Sequence, residues 1–335
     1  MKRIIMELTP ECNLRCVHCY NWFDKIVNDE SRRDSYRKAF NLLDFIIRNT
    51  TIRHITFTGG EPTVSERFVE LVLHAKLKGK QVTVITNGNG SPDVYRQLAD
   101  MRVDMVEISI HSSRPEIHDR ITRQPGSWQN AVENMELLLG KWISIAPVMV
   151  VSSLNYQYAA ETVDFFFRHG IRNVMVNRYN MGGEGLNHPM LSANTMQLKQ
   201  AFEAIDRYAG ERGLTIISGV CTPHCILDPD DYRNIRFGNC SSDVSQRPLT
   251  VDLEGNLRMC NHSPVVAGNV YEESLDEIFA GPYVSEWDEL DIPFCRNCTR
   301  LHRCRGGCRA AAEQVGLSLR DEDPIVNELE CVNFA

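Results

Sequence analysis

The sequence predicts an α/β fold: a partial (β/α)6 TIM-like barrel followed by a small loop-rich domain. Between Lys2 and about Leu214, six short apolar segments alternate with longer segments whose apolar residues recur at helical spacing, the pattern of parallel βα units. Six units are fewer than the eight of a closed barrel. After Leu214 the sequence changes to loops and closely spaced cysteines, so we expect domains at 1–215 and 216–335, with a bridging region at about 216–239.

Each βα unit has a recognisable strand or helix segment. The predicted strands are RIIMEL, HITFT, QVTVIT, MVEISI, SIAPVMVV and NVMVNR. The amphipathic segments predict helices at Tyr36–Arg48, Ser65–Leu77, Trp128–Leu139 and Ala159–Arg168. In the second domain, PLTVDLEGNLRM predicts a hairpin.

Charge and hydropathy exclude several classes of protein. The 335 residues include 36 Lys and Arg and 44 Asp and Glu, a net charge of -8, which argues against a nucleic-acid partner. No apolar run approaches the roughly 18 residues needed to span a membrane. The first strand follows Met1 with no signal peptide before it, so we expect a cytoplasmic protein.

Cysteine is the unusual component. Three of the twelve lie within the first 19 residues and nine lie after position 220. A chain of this size without an export signal has little need of disulfides, so metal binding is the better interpretation. Cys12, Cys16 and Cys19 follow the first strand with CxxxCxxC spacing. Three thiolates leave one iron of a [4Fe–4S] cluster open for a cofactor; the alternative is a zinc site with His18 as the fourth ligand.

Polar motifs follow the other predicted strands. GGEP comes after the second strand and TNG after the third. Ser109 and His111 end the fourth strand, and Asn177 with Arg178 ends the sixth. Because parallel barrels carry their chemistry at the carboxyl ends of the strands, these motifs are expected around one site.

With CxxxCxxC after the first strand and GGE after the second, residues 1–215 resemble the radical S-adenosylmethionine superfamily. The resemblance implies reductive cleavage of S-adenosylmethionine to a 5′-deoxyadenosyl radical, which takes a hydrogen atom from a substrate, with an electron donor such as flavodoxin or ferredoxin. It implies that Gly60 and Glu61 hold the methionine amine. The other implied cofactor contacts are Tyr20, Gly59, Thr86, Asn87, Ser109, Arg123 and Asn177. For Thr86, Asn87, Ser109 and Arg123, capping of strand ends is the alternative.

The second cysteine array runs Cys240, Gly255-x4-Cys260, Cys295-x2-Cys298-x5-Cys304-x3-Cys308 and Cys331. This order resembles the seven-cysteine SPASM extension of radical S-adenosylmethionine enzymes, although CxxC pairs also occur in zinc ribbons. The resemblance implies two auxiliary [4Fe–4S] clusters, and so three in all. The implied ligands are Cys295, Cys298, Cys304 and Cys331 for the distal cluster and Cys240, Cys260 and Cys308 for the proximal one.

The fourth proximal ligand has two candidates, Cys221 and Cys225. We favour Cys225, because a loop connects it towards Cys240. Cys221 directly follows a strand-like segment near the active face. It is then either a buried, inert thiol or a hydrogen-atom donor that quenches a substrate radical.

The substrate class stays open between a peptide and a small molecule. SPASM relatives favour a ribosomally made precursor peptide that undergoes crosslinking, thioether formation, oxidation or epimerisation; a sugar-like or antibiotic-type metabolite is the alternative. A non-catalytic iron–sulfur protein is disfavoured by the intact motifs. Asn261 stands where sulfatase-maturing relatives carry an Asp base, which weakens that assignment, although His262 could substitute. No leader-binding module precedes the first strand, so a separate leader-peptide-binding protein is one way to recognise a peptide.

Overall fold

The computed structural model describes residues 3–21, 29–289 and 291–327. Its strands form one mixed sheet of eleven members. The strands are β1 Arg3–Glu7, β2 His54–Thr58, β3 Gln81–Thr86, β4 Met105–Ser109, β5 Ile145–Val151, β6 Asn173–Arg178, β7 Thr215–Ser218, β8 Ile235–Phe237, β9 Thr250–Val251, β10 Asn256–Arg258 and β11 Val266–Asn269.

The helices of the first half alternate with these strands, and those of the second half are short. They are α1 Asp29–Asn49, α2 Phe68–Leu77, α3 Pro92–Asp100, α4 Pro115–Thr122, α5 Ser127–Gly140, α6 Ala159–Arg168, α7 Thr195–Arg212, α8 Leu275–Phe279, α9 Pro282–Asp288, α10 Leu301–Cys304 and α11 Arg309–Gln314. Within the described ranges, none of them is both long and apolar enough to cross a bilayer.

The sheet confirms the predicted α/β class. Strands β1 to β8 lie in sequence order, each parallel to the next, as expected of consecutive βα units. The six predicted βα units are present, because each of β1 to β6 is followed by a helix, and β7 and β8 extend the parallel run with two short strands. The hairpin prediction is confirmed, since Leu257 of β10 lies antiparallel to Val251 of β9.

The second half of the chain joins the sheet at its first strand. Strand β9 lies parallel to β1, with Ile5 opposite Thr250 and Met6 opposite Val251. The linear strand order means that β8 and β1 do not pair, so the sheet is a partial barrel. Large buried side chains such as Phe57, Phe68 and Phe166 fill the core. This arrangement brings the loops after β1, β2 and β3 to one edge of the sheet.

Candidate iron–sulfur and cofactor site

The first cysteine loop is held against the end of α4. Two backbone N–H groups of the loop, at Arg15 and Val17, donate to the carbonyls of Thr122 and Ile121 at 3.3 and 2.9 Å. The N–H of Leu14 donates to the Cys12 sulfur at 3.4 Å. Backbone contacts therefore fix the loop against the end of α4.

Glu61 is the centre of a buried hydrogen-bond network. Its carboxylate is 1% exposed and accepts hydrogen bonds from four donors. The Thr63 N–H and hydroxyl donate to Oε1 at 3.1 and 2.6 Å, and the Thr86 hydroxyl donates to the same oxygen at 2.7 Å. The Asn87 N–H donates to Oε2 at 2.6 Å. Burial raises the pKa of Glu61, while these four bonds lower it.

The Glu61 carboxylate positions the TNG loop against the GGEP loop. Its contact with the methionine amine stays a prediction. The cysteine loop joins the same network, because Asn87 Nδ2 donates to Asn13 Oδ1 at 2.8 Å and lies 3.8 Å from the Cys12 sulfur.

The two glycines of GGEP are required by contact with the chain that leads into the cysteine loop. A Cβ on Gly60 would lie 2.2 Å from the carbonyl oxygen of Glu11, and one on Gly59 would lie 2.5 Å from that of Thr9. Gly59 also has a φ of +153°, which favours glycine. The glycines thus let the second loop pack directly on the first.

We expect Gly60→Ala to displace the cysteine loop, because the new methyl group meets backbone that cannot rotate away. Overpacking of this kind costs about 1–3 kcal/mol of unfolding free energy. The matched control is Gly140→Ala at the end of α5, where a Cβ meets nothing within 4 Å. Thermal unfolding and iron content measure the effect. Equal iron content and stability in the two variants would contradict this reading of the motif.

Tyr20 connects the cysteine loop to the second half of the chain. Its hydroxyl accepts a hydrogen bond from Asn261 Nδ2 at 3.0 Å, and its ring centre lies 5.0 Å from that of His262. The Gln314 amide donates to the His262 carbonyl at 2.7 Å. Burial lowers the pKa of His262 to about 3, so its imidazole is neutral. Its Nε2 is buried without a hydrogen-bond partner among the described residues.

The remaining predicted cofactor contacts lie at strand or helix ends. Ser109 ends β4, half-buried and paired in register with Val148. Arg123 caps α4 in a left-handed conformation, and its guanidinium pairs with Glu184 at 3.2 Å.

Asn177 fixes the loop after β7, and its contact with the cofactor stays a prediction. Its side-chain oxygen accepts hydrogen bonds from the backbone N–H groups of Gly219 and Val220 at 2.7 and 3.1 Å. This places Cys221, the next residue, at a defined position.

Cys221 belongs to the proximal group of cysteines. Its thiol hydrogen-bonds to the Cys240 sulfur, which lowers the pKa of Cys240 to about 7 and raises that of Cys221. Charge on the Cys308 and Cys260 sulfurs also raises the pKa of Cys221. The four thiols Cys221, Cys240, Cys260 and Cys308 thus lie together.

Cys225 lies instead with the distal group. It lines one cavity together with Cys295, Cys298 and Cys304. The structure therefore reverses our assignment of the two bridging cysteines. The favoured proximal ligand, Cys225, is with the distal group. Cys221, expected near the active face as an inert thiol or a hydrogen-atom donor, is in the proximal group. The predicted distal ligand Cys331 lies outside the described residues.

The surroundings of the thiols fit iron–sulfur clusters. Hydrogen-bond donors point at cysteine sulfurs: Asn180 Nδ2 donates to Cys308 Sγ at 3.1 Å, and the His224 N–H donates to Cys304 Sγ at 3.3 Å. Hydrogen bonds to ligand sulfurs help to set the reduction potential of iron–sulfur clusters.

Two buried ion pairs were not identified from sequence. Arg178, named only as a strand-end residue, pairs with Asp323 far along the chain, and both side chains are at most 2% exposed. Asp323 also accepts a hydrogen bond from the Cys308 N–H at 2.9 Å, and Arg178 donates to the Cys221 carbonyl at 3.1 Å. The second pair joins Glu7, at the end of β1, to Arg258 of β10. Neither pair has a local sequence signal.

Comparisons with known proteins agree with this geometry. Residues 6–166 match the model of the radical SAM superfamily, and residues 240–299 match the SPASM iron–sulfur cluster-binding domain. The chain is 27% identical to the mycofactocin maturase MftC of Mycolicibacterium smegmatis, over 97% of this chain and 81% of that protein. It is 24% identical to the PqqA peptide cyclase of Methylocella silvestris, over 96% and 86%.

A solved structure shows the same fold. The anSMEcpe structure with bound AdoMet superposes with a TM-score of 0.72 at 16% identity, covering 98% of this chain and 95% of that one. The cysteine loop, the GGEP network and both matched domains lead to one conclusion. The chain is an enzyme with a radical SAM domain over residues 6–166 and a SPASM iron–sulfur cluster-binding domain over residues 240–299.

Proposed function

We propose that this enzyme modifies a precursor peptide by radical chemistry, using S-adenosylmethionine and three [4Fe–4S] clusters. One observation carries the proposal: hydrogen bonds join the cysteine, GGEP and TNG loops. Glu61 of the GGEP loop accepts from Asn87 of the TNG loop, and Asn87 donates to the cysteine loop. It presents three thiols beside two polar loops on one sheet edge. The relatives that span nearly the whole chain are named for a maturase and a peptide cyclase, which supports a peptide substrate.

Cys12, Cys16 and Cys19 are the proposed ligands of the first cluster. When bound there, the cluster and S-adenosylmethionine supply a 5′-deoxyadenosyl radical that removes a hydrogen atom from the substrate. The protein holds the three loops together and shields the site. The Glu61 network fixes the loop geometry, and Tyr20 with Asn261 closes the site towards the SPASM domain. The GGEP backbone and Ser109, Arg123 and Thr86 are proposed contacts of the cofactor.

His262 is the proposed proton acceptor. Its imidazole lies beside Tyr20, one residue from the cluster loop, and its Nε2 is buried with no partner in the described part of the chain. The imidazole nitrogen can take a proton from a substrate whose acidity rises after hydrogen-atom loss. In His262→Gln, we expect 5′-deoxyadenosine formation to persist while modified peptide falls about 100-fold or more. Equal loss of both products would place His262 in radical formation instead.

The test of function is anaerobic turnover with a candidate peptide encoded beside this gene. The reconstituted enzyme is incubated with S-adenosylmethionine, dithionite and the peptide, and mass spectrometry follows 5′-deoxyadenosine and peptide mass. We expect a change in peptide mass coupled to 5′-deoxyadenosine. Cys16→Ala is the control and should form neither product. If 5′-deoxyadenosine forms but peptides from this locus stay unmodified, a small-molecule substrate replaces the peptide.

The electron donor and location complete the proposal. We expect a flavodoxin or ferredoxin to replace dithionite, and we place the enzyme in the cytoplasm, where such donors occur. A separate leader-peptide-binding protein is the proposed means of peptide recognition.

A further inference from the structure

Three arginine side chains meet at the end of α9, and we call them the arginine cluster: Arg247, Arg305 and Arg309. The guanidinium groups of Arg305 and Arg309 both donate to the Trp287 carbonyl at 3.4 Å. Arg309 also donates to the Glu289 carbonyl at 2.9 Å. The Arg247 guanidinium lies 4.6 Å from the centre of the Trp287 ring. One short segment therefore gathers three positive charges.

The arginine cluster carries more charge than its contacts offset. Asp288 is the carboxylate in contact with it, 3.0 Å from the Arg247 guanidinium and 3.8 Å from that of Arg305. The Arg247 side chain is 2% exposed and the Asp288 side chain 46%, so water screens the acid far more than the base. A single, half-exposed carboxylate thus faces three guanidinium groups.

The other acids close to the arginine cluster are engaged elsewhere. Glu286 and Glu289 pair with the exposed Arg320 at 3.2 and 3.0 Å. Glu313 accepts hydrogen bonds from two hydroxyl groups at 2.7 and 3.0 Å, and burial raises its pKa, which favours its neutral form. None of these three carboxylates therefore offsets the arginine charge fully.

The buried arginines also keep hydrogen-bond donors in reserve. Nε and Nη1 of Arg247 and Nε of Arg309 are buried with no hydrogen-bond partner in the ranges that the structure describes. Burying a charged group with unmade hydrogen bonds is costly unless an opposite charge lies near. The arginine cluster therefore calls for an anionic neighbour.

The proximal group of cysteines is that neighbour. Arg309 directly follows Cys308 in the chain. The pKa of Cys240 is lowered to about 7, first by its hydrogen bond with Cys221 and then by the charges of the arginine cluster, which act against burial. A [4Fe–4S] cluster on four thiolates is an anion, and reduction adds a further negative charge.

The arginines near the distal cysteines differ, because acids pair with them. Arg300 pairs with Asp228, and Arg303 pairs with Asp230 at 2.8 Å. Glu322 lines the cavity of the distal thiols and adds a negative charge there. The two groups of cysteines therefore lie in opposite electrostatic surroundings.

We propose that Arg247, Arg305 and Arg309 raise the reduction potential of the proximal auxiliary cluster above that of the distal one. A nearby positive charge stabilises the reduced form more than the oxidised form, because the reduced form carries one more negative charge. Net charge is one of the properties that set the potential of an iron–sulfur cluster. The proposal rests on the proposed function only in taking the auxiliary clusters as [4Fe–4S].

The test is an anaerobic redox titration of the reconstituted full chain, followed by electron paramagnetic resonance. Cys298→Ala removes an exposed distal thiol, so the signal it abolishes is the distal one. The signal that changes when S-adenosylmethionine is added belongs to the first cluster, and the third signal is the proximal one. We expect the proximal midpoint of the wild type to lie above the distal midpoint. The reverse order would overturn the proposal.

Arg247→Met removes one buried charge and keeps an apolar side chain. We expect the proximal cluster to bind an electron about tenfold more weakly, a midpoint lower by about 59 mV for a one-electron couple. Arg247→Lys keeps the positive charge and should stay near the wild-type midpoint. An unchanged midpoint in Arg247→Met, or equal shifts in the two variants, would contradict the role of the charge.

Two further variants separate charge from folding, with iron quantified in each. Arg305→Met changes the most accessible member of the arginine cluster and should also lower the proximal midpoint, so it decides the test if Arg247→Met does not fold. Arg303→Met removes an arginine that is 59% exposed and should leave the proximal midpoint unchanged. Peptide modification by the wild type is measured separately. Its failure beside an intact midpoint shift contradicts the proposed function alone, whereas a wild type that takes up no auxiliary cluster contradicts both.

Discussion

In Glu61→Gln, 5′-deoxyadenosine formation is expected to require about tenfold more S-adenosylmethionine, the equivalent of about 1.4 kcal/mol of binding free energy. The new amide nitrogen replaces either oxygen of a carboxylate that only accepts hydrogen bonds. In one orientation the amide N–H of the new side chain faces the Asn87 N–H, so that two donors face each other. In the other orientation the amide N–H faces the donors on Thr63 and Thr86. Either way a buried donor loses its partner and the TNG loop is released.

The same substitution is expected to lower the free energy of unfolding by about 2–3 kcal/mol, the cost of losing hydrogen bonds to a buried charge. Chemical denaturation measures this loss of stability. Initial rates at varied S-adenosylmethionine concentrations measure the change in cofactor affinity. Glu66→Gln, at an exposed position five residues along, removes the same charge and should change neither value. A Glu61→Gln enzyme with wild-type affinity for the cofactor would contradict the positioning role.

Asp323→Ala is expected to cause the largest loss of stability, about 3–5 kcal/mol, because it leaves the Arg178 guanidinium buried without its counter-ion. The substitution also removes the acceptor of the Cys308 N–H. We therefore expect reduced iron in the proximal site as well as easier unfolding. Denaturation curves and iron quantification on the same preparations test both.

The control for this prediction is an exposed pair. Arg114 and Glu161 are 3.0 Å apart with both side chains more than 40% exposed, so Glu161→Ala should cost at most about 1 kcal/mol. In the double variant Arg178→Met with Asp323→Ala, no buried charge is left unpaired, and part of the stability should return. If the double variant is no more stable than Asp323→Ala, the loss comes from packing and not from the buried charge.

The parts of the site that local sequence could predict are those in which one short segment carries the chemistry. The strand ends and their motifs were found because strand, turn and motif are contiguous. The start of α2 was placed early, at Ser65, because Pro62–Val64 forms a 3-10 turn and Arg67 then takes a left-handed conformation before Phe68.

The exchange of Cys221 and Cys225 shows where local reasoning ends. The two thiols are four residues apart, and distance along the chain towards Cys240 favoured the nearer one. Their directions depend on Asn177, which holds the backbone before Cys221, and on the turn at Pro223. The pair of Arg178 and Asp323 spans 145 residues, so only the folded chain brings it together.

The pairing of β9 with β1 has a consequence for dividing the chain. A fragment that ended at residue 215 would leave the hydrogen-bonding groups of β1 open along one side, directly before the cysteine loop. Open strand edges recruit other chains. We expect such a fragment to self-associate and to lose its first cluster. The first half of the chain therefore depends on the second half to cover the open edge of β1.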